Sequence, residues 1–88
     1  MLDKIKLALR ITNTAFDDEI EIIIKACKKD LDIAGVQSDK DNDPLIERAV
    51  ILYSKANFGF SDDGEKYQRS YDMLKSSLSL AGDYNALG

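Results

Sequence analysis

The chain has 88 residues, a net charge of −4 and no histidine, so it is one small domain that lacks the commonest general base and the commonest metal ligand. Its single cysteine excludes an internal disulfide, a cysteine-rich zinc site and a CxxC redox pair. The acidic balance argues against free association with nucleic-acid backbone, while a hydrophobic share of 44 % is enough for a folded core.

Met1 to Arg10 reads as a short helix with Leu2, Ile5 and Leu9 on one face, and Ile11-Thr12-Asn13 as a connection. Thr14 reads as the N-cap of a second helix, whose positive end Asp17, Asp18 and Glu19 complement. That helix runs to Ala34, with Phe16, Ile20, Ile23, Ile24, Cys27, Leu31 and Ala34 as its main stripe, and Gly35 ends it. A polar loop from Val36 to Asn42 leads to the best-punctuated segment, Asp43 to Gly59. There Asp43 can cap the first turn, Pro44 sits where a missing N–H costs nothing, and Gly59 supplies a left-handed stop. At about 100° per residue, Leu45, Ile46, Ala49, Val50, Leu52, Tyr53 and Ala56 fall within about 160°. A stripe that wide belongs to a helix with neighbours on more than one side.

Phe60-Ser61-Asp62-Asp63-Gly64 is a tight connection that offers capping carboxylates to a fourth helix. The last helix carries Tyr67, Tyr71, Leu74 and Leu78 as a single stripe, and Gly82 ends it. Residues 1–82 thus read as one all-α domain, compact and four-helical with short loops, and residues 83–88 as a mobile C-terminal tail. No secretory signal or long apolar run is present, so the protein is expected to be cytosolic when made.

Few residues invite a chemical reading. Cys27 falls on an apolar face and reads as a small buried hydrophobe rather than a nucleophile without a base. Asp39-Lys40-Asp41-Asn42-Asp43 starts like an EF-hand loop, but Pro44 stands where the sharp-turn glycine belongs and Val50 where the bidentate glutamate belongs. The pairs Asp17 with Asp18 and Asp62 with Asp63 sit where helix capping explains them. Lys25, Lys28 and Lys29 share their face with Asp18, Glu21 and Asp32, the mixed pattern of a solvated helix.

The second helix also has a second apolar line, Ala15, Ile22, Ala26 and Ile33, well off the main stripe. Either that helix touches two neighbours within the monomer, or the line is a subunit interface that the small bundle leaves uncovered. Ile51 and Phe58 raise the same question on the third helix. Tyr84 and Leu87 give the tail either a frayed end or a segment that orders against a partner.

Several runs then carry a resemblance: Ala8-Leu9-Arg10-Ile11, Phe16-Asp17-Asp18-Glu19-Ile20, Asp30-Leu31 with Ala34-Gly35-Val36, and Asp43-Pro44-Leu45-Ile46 with Ala49. They continue through Tyr53-Ser54-Lys55-Ala56-Asn57-Phe58-Gly59, Tyr67, Ser70-Tyr71, Leu74 and Leu78. In order and spacing the chain resembles the small helical head–tail connector (adaptor) proteins of tailed bacteriophages and their prophages. The resemblance implies a structural virion protein without catalysis, cofactor or metal. It implies a ring of about a dozen copies beneath the portal, closed by head-to-tail interfaces. Such a ring extends the DNA channel after packaging and offers a platform to a stopper or tail protein. It sits at the head–tail junction of the virion, made in the host cytoplasm, and DNA passes without sequence-specific binding or a membrane. An acidic wall suits that passage because it repels the duplex.

Other classes fit less of the chain. A small helical regulator with one protein partner shares the composition and the spare ridge, and a one-to-one complex distinguishes it. A packaging component that grips DNA directly requires a basic recognition helix, which is missing here. An enzyme requires a converging set of polar groups. The expectation is therefore a connector subunit that works by assembly.

Overall fold

The computed structural model describes residues 1–40, 42–58, 63–82 and 84. Its helices are α1 (Leu2–Leu9), α2 (Asp17–Ile33), α3 (Pro44–Asn57) and α4 (Gly64–Leu80). The third is the hub. Asp43 Oδ1 accepts the Leu45 N–H at 2.9 Å and Pro44 opens the helix, so its start is fixed by neighbouring residues alone. Its wide stripe buries Ile46, Ala49, Val50 and Leu52 and packs against all three other helices, most extensively α4. Around it the core is completed by Ile5 and Ile11, by Ile20, Ile24, Cys27, Leu31 and Val36, and by Tyr71 and Leu78. The expected faces of the outer helices meet this core: Ile5 is buried with Leu2 and Leu9 beside it, and Tyr71 and Leu78 with Tyr67 and Leu74.

Two helices end in the same way on different residues. At the end of α2, Gly35 takes φ 84°, its N–H donates to the Asp32 carbonyl (3.0 Å), and the Val36 N–H reaches back to Leu31 (2.9 Å). At the end of α1, Arg10 takes φ 61°, with Arg10 N–H to Leu7 at 3.1 Å and Ile11 N–H to Lys6 at 2.9 Å. Both are left-handed stops with two back-reaching amides, and in both the next residue, Val36 or Ile11, drops into the core. Glycine adopts that conformation freely, whereas Arg10 does so against the contact of its Cβ with the following carbonyl. Burial of Ile11 and the Lys6–Asp17 ion pair at 2.8 Å, which ties α1 to α2, offset the strain.

Two expected boundaries are corrected. Thr14 does not cap α2, which begins at Asp17 with Phe16 at the cap position and no side-chain cap bond. The Asp17 N–H donates to the Thr14 backbone carbonyl at 3.3 Å, and the Asn13 Oδ1 accepts the Ala15 N–H at 3.1 Å, so the segment closes into a turn before the helix starts. The first-turn acids Asp17, Asp18 and Glu19 still complement the helix end. Gly82 is not the stop of α4: Ala81 turns extended first, and Gly82 stays out of the left-handed region. Asp63 holds the cap position of α4 without a side-chain cap bond to the first turn. Gly59 and the segment 60–62 lie outside the described residues.

The outer helices α2 and α4 flank α3 and meet through a small polar cluster. The Tyr71 hydroxyl donates to Asp30 Oδ2 at 2.7 Å, and Lys75 Nζ lies 2.9 Å from the same oxygen. Lys75 also stands over the Tyr71 ring, 5.2 Å from its centre, and the Tyr53 ring packs edgewise at 5.1 Å. The Tyr71 bond above all, then the Lys75 ammonium, holds the Asp30 carboxyl below the usual carboxylate range. Burial, reinforced by the bond to Asp30, pushes the Tyr71 hydroxyl up, so it remains a donor.

Two predictions follow from this packing. Arg10→Gly should stabilise the fold by about 0.5–1 kcal/mol, relief of the left-handed strain outweighing the added chain entropy. Denaturant melts of the two proteins measure this, and a destabilised variant would show that the Arg10 side chain contributes more than its backbone costs. The second concerns acid. Because Asp30 is depressed in the folded state, the unfolded chain protonates first, and stability present above about pH 4 is lost as pH falls further. Tyr71→Phe should cost about 1 kcal/mol at neutral pH, water replacing the hydroxyl at a partly exposed carboxylate, and should flatten the acid limb of the melting temperature against pH. An acid limb of unchanged slope would remove Tyr71 as the cause.

Candidate functional site

The second apolar line of α2 does not enter the core. Ile22 is 66 % exposed and Ile33 76 %, and Ala26 between them is exposed as well. Of the two readings open from the sequence, packing against a second neighbour inside the monomer is therefore not the one observed. Ala15 is also exposed, but it falls in the turn before the helix, so the helical ridge itself is Ile22, Ala26 and Ile33. Ile51 and Phe58 behave differently. Both are half-buried and packed against the core, and Phe58 meets the Phe16 ring edge-on at 5.5 Å. Much of their apolar surface is already used within the monomer.

Periodicity missed a further exposed pair. Met73 is 72 % and Leu80 87 % exposed on α4, seven residues apart and on the side away from Tyr71. Their signal was present in the sequence as two large apolar residues off the Tyr67–Leu78 stripe, separated by Ser76 and Ser77.

Of the tail, Tyr84 is described and Leu87 lies outside the described residues. Tyr84 is docked. Its hydroxyl lies 2.9 and 2.8 Å from the two Asp43 carboxylate oxygens, its carbonyl accepts the Gln37 N–H at 2.8 Å, and Lys40 stands 5.1 Å over its ring. The Tyr84 hydroxyl chiefly, helped by the amides of the first turn of α3, holds Asp43 below the ordinary carboxylate range. Any partner-binding role of Tyr84 thus starts from a side chain already engaged at the α2–α3 loop.

The chemical candidates find ordinary structural places. Cys27 is fully buried, and burial pushes its thiol up to about 12, so it stays protonated at neutral pH. Its sulfur lies 3.9 Å from the Tyr71 hydroxyl and 4.0 Å from the Ala49 carbonyl, with one proton to share between them. The calcium-like loop directs Asp43 to the Leu45 amide and the Tyr84 hydroxyl rather than toward a central cation. Asp17 pairs with Lys6. Lys25 and Lys29 are exposed and Lys28 half-buried along an acid-rich face. An open hollow of about 380 Å³ is lined by Asp32, Val36, Gln37, Ser38 and Asp39, and the Ser38 hydroxyl there is taken up by Asp32 at 2.6 Å.

What the surface offers is exposed apolar area on α2 and α4. No helix among the described residues is long and apolar enough to cross a membrane. No curated protein and no solved structure matches the chain. The profile of a family described as phage connector protein matches residues 1–85, nearly the full length and the same elements that carry the sequence resemblance. The chain belongs to the phage connector protein family.

Proposed function

We propose that this protein is a head–tail connector subunit of a virion, assembling as a ring beneath the portal. The ring extends the channel through which DNA leaves and presents a platform for a stopper or tail protein once packaging is complete. It carries no catalytic step, and the chain's own copies, the portal and the next connector are its partners.

The observation that carries this reading is the solvated ridge of Ile22, Ala26 and Ile33 on a chain of the connector family. Leaving two isoleucines in water forgoes about 1.5–3 kcal/mol each relative to burial, which assembly recovers. Exposed apolar stripes of this kind mark interaction surfaces. The net charge of −4 suits a subunit that lines a DNA channel without gripping the duplex.

Native mass spectra recorded over a wide concentration range, with and without the cognate portal, test the proposal. A discrete high-order ring, alone or on the portal, is the expected result. A monomer that ignores the portal at every concentration, or a one-to-one complex with another protein, would favour a small regulatory binding module instead. Ile22→Asp and Ile33→Asp should each abolish assembly while circular dichroism of the monomer keeps its helical signal. Both side chains project into water, so the charge costs the fold little.

A further inference from the structure

A head-to-tail ring needs two different surfaces on each subunit. Resting on the connector reading, we infer that the exposed face of α4, built on Met73 and Leu80, is the surface that seats against the α2 ridge of the next copy.

The placement of the two ridges supports this. On α2, Cys27 and Asp30 face α4, and on α4, Tyr71 faces α2. At 3.6 residues per turn, Ile22 lies about 140° around α2 from Cys27, and Met73 about 160° around α4 from Tyr71. The α4 ridge therefore points away from the shared cluster, and the α2 ridge lies to its side, about 80° from Asp30 at Ile22 and about 60° at Ile33. A subunit's own α4 cannot cover its own α2 ridge, whereas a neighbour's can. Spacing matches as well. With Ile22 against Met73 in parallel register, small Ala26 meets Ser77 four residues on, and Leu80 lies over the turn between Ala26 and Ile33.

Charge selects the direction. Asp18 and Glu19 stand one turn before Ile22, and Lys66 and Arg69 one to two turns before Met73. All four are exposed, and none is in an ion pair among the described residues. Parallel helices with Ile22 near Met73 place the two acids beside the two bases. Antiparallel helices place Lys66 and Arg69 beside Lys25 and Lys29, where like charges repel. The competitor is a two-fold α2–α2 dimer, in which Asp18 and Glu19 face Lys29 and Lys25. It leaves Met73 and Leu80 in water and closes at two copies.

Mixed-subunit cross-linking decides between them. Tagged Ile22→Cys and untagged Met73→Cys chains are combined and treated with a short bismaleimide. Cys27 stays silent because it is buried and protonated. Tagged–untagged adducts should dominate over self-adducts of either variant. Reversing the acids, Asp18→Lys with Glu19→Lys, should reduce the adduct about tenfold, as several exposed pairs turn repulsive. Adding Lys66→Glu with Arg69→Glu on the partner should restore it, and circular dichroism checks that every variant remains helical. Rings seen by mass spectrometry without the Ile22–Met73 adduct would overturn this inference and leave the connector reading standing. Ile22–Ile22 adducts in a species that stops at two copies would establish the two-fold dimer. Absence of any assembly, with or without portal, would overturn both.

Discussion

Everything in this fold depends on how much of α3 must be covered. A helix apolar over nearly half its circumference cannot lie on one neighbour, so α1, α2 and α4 all pack on it, and each spends its best face there. Once they have done so, no helix among the described residues remains to cover the outer sides of α2 and α4. A chain this short has one layer of helices around one central helix. Its spare apolar surface therefore follows from its size and from the hub. The same economy accounts for the polar cluster. With both flanking helices committed to α3, Tyr71, Asp30 and Lys75 are what fixes α4 against α2.

Legibility in the sequence tracked the range of the interactions involved. Asp43 and Pro44 act on their own first turn, so the start of α3 could be read directly. Gly35 could be read because glycine is the usual residue at a left-handed stop. Arg10 could not, since an arginine takes that conformation only when a distant core accepts the following Ile11. Thr14 does not cap α2 because the Asp17 amide is held by the Thr14 backbone carbonyl in a turn ahead of the helix. The Tyr71–Asp30 and Tyr84–Asp43 bonds each join residues 41 apart and leave no periodic trace.

Of the candidate surface, the α2 line was legible as a helical ridge, though its exposure was not, because a ridge pattern is the same whether a neighbour covers it or water does. The α4 pair was masked by the strength of the Tyr67–Leu78 stripe on the other side of the same helix. Ile51 and Phe58 show the opposite error. They lie off the main stripe of α3, yet a hub helix packs on so much of its circumference that positions off the stripe still meet neighbours.

The docking of Tyr84 on Asp43 has a mechanical consequence. Asp43 is both the cap of the central helix and the anchor of Tyr84, while the Tyr84 carbonyl is held by the Gln37 amide. Tension applied at the C-terminus does not simply peel α4 away from its end. It is delivered first to the base of α3, through hydrogen bonds to its capping residue and to the loop before it. Load entering at Tyr84 is thus passed into the most deeply packed element of the fold.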